Sequence, residues 1–300
     1  MNVTLRAYID LLRLQFFFAW PLLFGSGYLL ATMTYGGFEW FMLAKVTLIG
    51  FFGFEAGLVL NDYIDRDIDK KDIEGRLTRY WRFSGTRPLP AGLIPPAHAL
   101  ILFIVLAGIA AVLILTLPYP HSIYVLLLMV YCYVIEAFYQ YEKRIPQVFP
   151  FPQLIGRTDF AIFPVAGYLC VGSPDTTVFL YFIFFYPFAI AHLGANDLID
   201  EANDRARGLR TIPTIYDAER TRYWIAGFTA IHAMMAFLFI TRLGLVAQIG
   251  IYAGLGLLVI ANIVILKYKT PDAALKVLPL FHVAMVLYAA GICAGALMGL

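Results

Sequence analysis

Charge is scarce in this chain. Asp, Glu, Lys and Arg make up 14% of its 300 residues and apolar types make up 61%, at a mean hydropathy of +0.77. A soluble domain carries about a quarter charged residues, so a water-soluble globule is excluded and an integral membrane protein is expected. Cysteine is scarcer still. Cys132, Cys170 and Cys293 stand singly in apolar segments without C-x-x-C spacing, which argues against a disulfide framework or a thiolate metal site and leaves three buried thiols. Histidine offers no metal spacing either, and His98, His121, His232 and His282 read as structural. No Ser/Pro-rich linker interrupts the chain, so residues 1–300 read as one membrane domain. The N-terminus lacks a basic region followed by a short apolar stretch and a small-residue cleavage site, and no removable signal peptide is expected. The basic segments lack interleaved aromatics on a soluble scaffold, which argues against nucleic acid as a partner.

Long apolar runs, by contrast, recur from end to end. A helix needs about twenty apolar residues to cross a bilayer, and nine stretches qualify: 14–34, 41–60, 97–117, 123–139, 154–171, 178–195, 223–241, 246–266 and 277–297. The expected fold is all-α, a polytopic bundle of nine transmembrane helices. Cytoplasmic loops carry the excess of Lys and Arg. Of the 22 basic residues, all but Lys45, Arg157 and Arg242 fall on one side of this topology. That side also holds the N-terminus and the two long polar connections, 66–96 and 201–222, and it is read as cytoplasmic.

The richest polar stretch follows the second apolar run: Asn61-Asp62-Tyr63-Ile64-Asp65-Arg66-Asp67-Ile68-Asp69. If the helix continues through it, Asn61, Asp65 and Asp69 share one face at i, i+4 and i+8. The pattern returns after the sixth run at 196–204, where Asn196, Asp200 and Asp204 repeat the spacing, so the chain contains a pseudo-repeat. A solvated helix end accounts for one such cluster, but not for the same spacing twice. Carboxylates converging on one cavity repel unless cations lie between them, and Mg²⁺ takes carboxylate and amide oxygens and completes its shell with water and substrate phosphates. Two Mg²⁺ sites are expected, with Asn61, Asp65, Asp69, Asn196, Asp200 and Asp204 as ligands.

Cations accompany each motif. Arg87-Pro88-Leu89-Pro90-Ala91-Gly92 follows the first, Arg210-Thr211-Ile212-Pro213 follows the second, and Lys143 and Arg144 return to the same face between them. Basic residues on a cytoplasmic face are common in any membrane protein, yet beside paired metal motifs Asn61, Arg87, Lys143, Arg144 and Arg210 suit a diphosphate. Glu55 and His192 precede the motifs on their helices and are read as packed, hydrogen-bonded groups. Arg157 and Asp159 either pair inside the bundle or contact a second substrate.

These residues resemble the UbiA superfamily of intramembrane prenyltransferases. Its N-x-x-x-D-x-x-x-D motif matches Asn61, Asp65 and Asp69, and its D-x-x-x-D motif matches Asp200 and Asp204. Its R-P-L-P-[SA]-G segment matches Arg87 to Gly92, and its Y-x-x-x-K element matches Tyr139 and Lys143. The resemblance implies a Mg²⁺-dependent transfer of a prenyl group from a polyprenyl diphosphate to a hydrophobic acceptor, within the membrane lipid. Asp65, Asp69, Asp200, Asp204 and Tyr139 would then carry the catalysis. Tyr139 would offer its ring to an allylic cation, although one aromatic among 25 Phe and 19 Tyr is more often packing. Quinone-precursor aromatics, haem, chlorophyllide-like tetrapyrroles and archaeal glycerol lipids are the acceptors the resemblance implies. The rival reading is a cation transporter with duplicated acidic sites; it predicts the motifs at mid-membrane, whereas they fall at helix ends. A membrane phosphotransferase would need a compact Asp-Gly-Ala-Arg motif that is absent from this sequence.

Overall fold

Backbone N–H and C=O groups find no partner in hydrocarbon, so each apolar run must pair them internally as a helix. The computed structural model describes residues 3–299, and among these the chain forms helices and no strand. Along the chain they are α1 (Val3–Leu11), α2 (Ala19–Tyr35), α3 (Trp40–Asp65), α4 (Arg76–Trp81), α5 (Pro96–Leu115) and α6 (His121–Glu142). There follow α7 (Phe151–Gly156), α8 (Thr158–Tyr168), α9 (Thr176–Arg207), α10 (Ile212–Phe239), α11 (Leu245–Tyr268) and α12 (Pro271–Met298). Eight of the helical segments among the described residues are long and apolar enough to cross a bilayer. The molecule is an all-helical integral membrane protein.

The fifth expected span, 154–171, is not one helix. At Arg157 the backbone leaves helical geometry (φ −76°, ψ 1°), which separates α7 from α8. The break lies where the chain presses on a neighbour: a Cβ on Gly156 would come within 2.9 Å of the Tyr139 ring. The two pieces still reach opposite ends of the bundle. Gln153 Nε2 donates to the Arg210 carbonyl at 2.6 Å beside the second motif, and the Tyr168 hydroxyl donates to Asp175 at 2.7 Å in the turn at the other end.

Helix α8 packs against α2, α6 and α9, and α9 in turn against α10 and α12. The membrane-spanning part of α9 is 67% buried and that of α6 only 17%, so α9 is interior and α6 turns much of its surface outward. Residues on the outer faces are apolar, among them Ile101, Val112, Leu127, Val134, Phe237 and Val259, as contact with lipid requires. Where α2 crosses α8 the backbones touch. A Cβ on Gly167 would strike the Phe24 carbonyl, and one on Gly27 the Pro164 carbonyl; small residues at a crossing allow this approach.

The motif-bearing connections differ from the sequence reading in two ways. Helix α3 stops at Asp65, and Asp69 sits on a separate 3₁₀ turn, Ile68–Lys71, so the first motif is not one continuous helical face. Asp-rich sequence is a poor helix former, and Asp67 is spent on Arg66 and Lys70. The second motif continues to Arg207 with Glu and Ala among its residues, reinforced by an Arg205–Glu201 pair at 2.8 Å. The expected loop 201–222 is therefore largely helix, interrupted by a short connection at 208–211 and a kink at Asp217 (φ 77°) in α10. Only 66–95 is a long connection, and α4 lies within it.

A buried ion triad holds that connection against the bundle. Asp62 accepts from Arg13 at 3.0 Å and from Arg82 at 2.6 Å, and Asp10 accepts from the Ser84 backbone N–H at 3.1 Å. Burial pulls the Arg82 guanidinium down to about 10 against the pull of Asp62, which leaves it charged at neutral pH. Removing one member of a buried ion pair leaves an uncompensated charge, which is destabilising by about 3–5 kcal/mol. Asp62→Ala is accordingly expected to lower the thermal midpoint in detergent sharply, while Asp67→Ala, on an exposed pair, shifts it little. Equal midpoints for the two variants would refute the structural role of the triad.

Candidate active site

The two motifs face each other across a cavity of about 320 Å³. Helix α3 contributes Gly53, Gly57, Asn61 and Asp65, each one turn after the last, so glycines keep the shaft open below the polar residues. Helix α9 contributes His192, Asn196, Asp197, Asp200 and Asp204. Helix α6 lines the cavity from Val125 through Met129, Cys132, Glu136 and Tyr139 to Lys143, a stripe about 27 Å long at 1.5 Å per residue. The motif end is polar. The other end, formed by Phe24, Ile49, Ile114, Val125, Met129 and Phe163, is apolar.

Most carboxylates at the polar end are paired. Asp65 accepts from Lys143 Nζ at 2.6 Å and from Arg144 at 2.9 Å. Asp69 accepts from Arg87 and lies 3.5 Å from Arg207, which also reaches Asp200 at 3.2 Å. Burial nevertheless pushes the Asp69 carboxyl above its usual range, with Arg87 and Arg207 pulling it back in part. Asp197 and Asp204 have no cation within 4 Å among the described residues. Asn203 links the two halves: its Nδ2 donates to Asp200 at 2.7 Å and to Asp72 at 2.9 Å, and its Oδ1 accepts from the Ile73 N–H at 2.8 Å.

Of the residues singled out from the sequence, Asn61, Asp65, Asp69, Arg87, Tyr139, Lys143, Asn196, Asp200 and Asp204 line this one cavity. Arg144 approaches Asp65 from outside the lining. Arg210 stands apart from the others. Its backbone N–H donates to the Lys143 carbonyl at 2.7 Å, and its side chain is outside the lining. The cation on that side is Arg207, because α9 runs through the second motif and past the expected start of the loop, carrying Arg207 inward while Gly208 (φ 75°) turns the chain away. Arg13, Arg82, Asp197 and Asn203 were also missed. The Asn-Asp doublet common to both motifs was the available signal for Asp62 and Asp197; nothing local marks the others. Glu55 is fully buried with no hydrogen-bond partner on either carboxyl oxygen and lies outside the lining. His192 lines the cavity, with its Nε2 2.9 Å from His282 Nε2.

The donor set fits a hard cation. Asn61 commits its Nδ2 to Glu136 at 2.6 Å, which leaves its amide oxygen to the cavity. Among the described residues the Asn196 Oδ1 is buried with no partner, one turn before Asp200 and beside Asp197, whose Oδ2 accepts only from the Ile212 N–H at 3.4 Å. No three His, Cys, Asp or Glu side chains among the described residues are close enough to enclose a metal unaided, so a Mg²⁺ ion at this site would need water and substrate phosphates to complete its shell.

A model of the UbiA prenyltransferase family matches residues 18–286. The chain is 29% identical over 176 residues to the digeranylgeranylglyceryl phosphate synthase of Natronomonas pharaonis, covering 59% of this chain and 57% of that one. It is 30% identical over 172 residues to the 4-hydroxybenzoate octaprenyltransferase of Tolumonas auensis, covering 57% and 54%. It thus spans little more than half the length of these curated relatives. The structure of a UbiA homologue from Archaeoglobus fulgidus bound to DMAPP and Mg²⁺ superposes with a TM-score of 0.69 at 15% identity, over 96% of this chain and 99% of that one, a likeness of fold. A family match over nearly the whole chain, on a cavity that unites both acidic motifs, makes the protein a member of the UbiA prenyltransferase family.

Proposed function

We propose that the protein transfers a prenyl group from an allylic polyprenyl diphosphate to a lipophilic acceptor. The observation that carries this reading is the cavity itself, with carboxylates and cations at one end and a long apolar shaft at the other. The diphosphate belongs at the polar end, beside Arg87, Lys143 and Arg207, and the isoprenoid chain lies along α6 toward Val125. Asn61, Asp65 and Asp69 would hold one Mg²⁺ and Asn196, Asp200 and Asp204 a second. Bound there, the metal neutralises charge that builds on the departing diphosphate.

In the transfer, the allylic C–O bond breaks, the diphosphate leaves with the electron pair, a nucleophilic atom of the acceptor bonds to the allylic carbon, and the acceptor loses a proton. Arg87, Lys143 and Arg207 stabilise the leaving group by charge-assisted hydrogen bonds. Tyr139 is buried, and its ring already faces two cations, Lys143 Nζ at 5.3 Å and Arg157 Cζ at 5.8 Å. The same π-face suits an allylic cation. Trp20, Phe54, Phe160 and Phe163 wall the cavity against water. The basic residues at the motif end support a cytoplasmic mouth and N-terminus. The ion pairs at the mouth belong to the ligand-free protein; Lys143 and Arg87 turn from carboxylate to diphosphate as metal and substrate enter together. An ion-transport reading lacks this logic, since an ion needs no apolar shaft.

Binding of geranylgeranyl diphosphate to the purified protein in nanodiscs is expected only when Mg²⁺ is supplied; Mg²⁺-independent binding, or none, would remove the basis of this reading. Asp65→Ala and Asp200→Ala should each lower turnover by at least about 100-fold with the helical circular dichroism unchanged, and near wild-type turnover in either would show the metal assignment to be wrong. Lys143→Ala should weaken prenyl diphosphate binding by about tenfold or more and acceptor binding far less. Parallel loss for both ligands would indicate a disrupted fold in place of a lost contact.

A further inference from the structure

The two motif asparagines line the cavity from facing helices, and each is held by its amide nitrogen. Asn61 Nδ2 donates to Glu136, which reaches it from α6. One turn before Asn61 stands Gly57, which has no side chain to offer; one turn before Asn196 stands His192. Asn196 Nδ2 lies 3.0 Å from the His192 carbonyl oxygen and 3.2 Å from His192 Nε2. A carbonyl only accepts, so the amide nitrogen faces His192 and the amide oxygen is turned the other way. That oxygen is buried and, among the described residues, has no partner.

His192 is in turn held by two further elements. Its Nε2 meets His282 Nε2 of α12 at 2.9 Å, and His282 Nδ1 meets the Tyr80 hydroxyl of α4 at 2.7 Å. Two ring nitrogens at that distance carry one proton between them, so one ring donates and the other accepts. Asn196 Nδ2 is closer to His192 Nε2, at 3.2 Å, than to Nδ1, at 3.5 Å, which assigns the lone pair to Nε2. His282 Nε2–H then donates to it, and Tyr80 O–H donates to His282 Nδ1. Held this way both imidazoles are neutral. Phe160 and Phe188 pack on His192, each with its ring centroid 6.3 Å away, and Trp81 stands 4.9 Å from His282.

We propose that Tyr80 and His282 are positioning residues for Asn196: they lock the His192 ring, and so the Asn196 amide, with its oxygen presented to a divalent cation at the second motif. This rests on the prenyl-transfer reading and its Mg²⁺ assignment above. The chain does for the second motif what Glu136 does for the first, with two imidazoles and a phenol in place of a carboxylate. A neutral holder adds no negative charge beside Asp197, Asp200 and Asp204, which already share that wall of the cavity. It also ties the second motif to α4, on the connection that carries Arg82 and Arg87.

The test measures the Mg²⁺ concentration needed for half-maximal binding of an unreactive geranylgeranyl thiolo-diphosphate to the protein in nanodiscs. His282→Ala should raise it about tenfold or more, as the loss of a group that orients a metal ligand does. Tyr80→Phe keeps the ring, removes one hydrogen bond, and should raise it about threefold. In His282→Gln the side-chain amide can donate to His192 and accept from Tyr80, and the wild-type requirement should be largely restored. Asn196→Ala should raise the requirement by itself, and adding His282→Ala to it should change the value by less than about twofold, because a residue that acts through Asn196 has nothing left to position. Tyr80→Phe gives the same cycle should His282→Ala not fold. Factors that multiply in the double variant would make the chain a packing feature and overturn the inference. Mg²⁺-dependent binding with the same requirement in wild type, His282→Ala and Tyr80→Phe removes the inference alone. Wild-type protein that binds the analogue without Mg²⁺, or not at all, removes the prenyl-transfer reading and the inference with it.

Discussion

Negative charge buried at the end of an apolar bundle is the constraint on which the rest of this structure depends. A carboxylate removed from water must be matched or it will not stay ionised. Here the matching groups come from distant parts of the chain: Arg13 and Arg82 reach Asp62, Lys143 and Arg144 reach Asp65, and Arg87 and Arg207 reach Asp69. Each pairing draws an element toward the first motif, namely the segment after α1, the connection around α4, the end of α6 and the end of α9. The site is thus assembled by the same attractions that close the bundle around it. In the proposed reaction, a cation and a diphosphate entering together would exchange these pairings for their own, charge for charge.

The duplication is real in residues and imperfect in geometry. Both motifs end a membrane helix, but α3 stops within its motif and α9 runs through the other. The consequence is functional asymmetry. The first motif bends into the long connection that carries Arg82 and Arg87, whereas the second stays rigid and presents Asn196, Asp200 and Asp204 on one helical face. Asn203, between two of those residues, holds Asp72, Ile73 and Glu74 and so ties the long connection to α9.

Depth and breakage shape the remainder of the cavity. Glycines at one-turn spacing on α3 leave room beneath the polar end, and the interruption of the 154–171 segment places Arg157 in the cavity wall with Glu136 and Asp159. The resulting cavity has three zones in order: paired charge, an aromatic ring between two cations, and hydrocarbon. That order matches a substrate with a charged head, a reactive carbon and an apolar tail.

Much of this was legible before any coordinates. Hydropathy runs and the scarcity of charge determined a helical membrane protein, because hydrocarbon tolerates little else. The repeated Asn-x-x-x-Asp-x-x-x-Asp spacing, with Arg87, Tyr139 and Lys143, picked out residues that line one cavity; the helical face it implied holds in α9, whereas Asp69 leaves α3 for a 3₁₀ turn. What tertiary structure alone decided was which charges meet. That Arg207 and not Arg210 lines the cavity depends on where α9 ends. The pairing of Arg13 and Arg82 with Asp62 joins residues far apart in sequence, which no local pattern encodes. The chain from Tyr80 through His282 to His192 likewise joins an outer connection to two helices, and only the packed bundle brings them together.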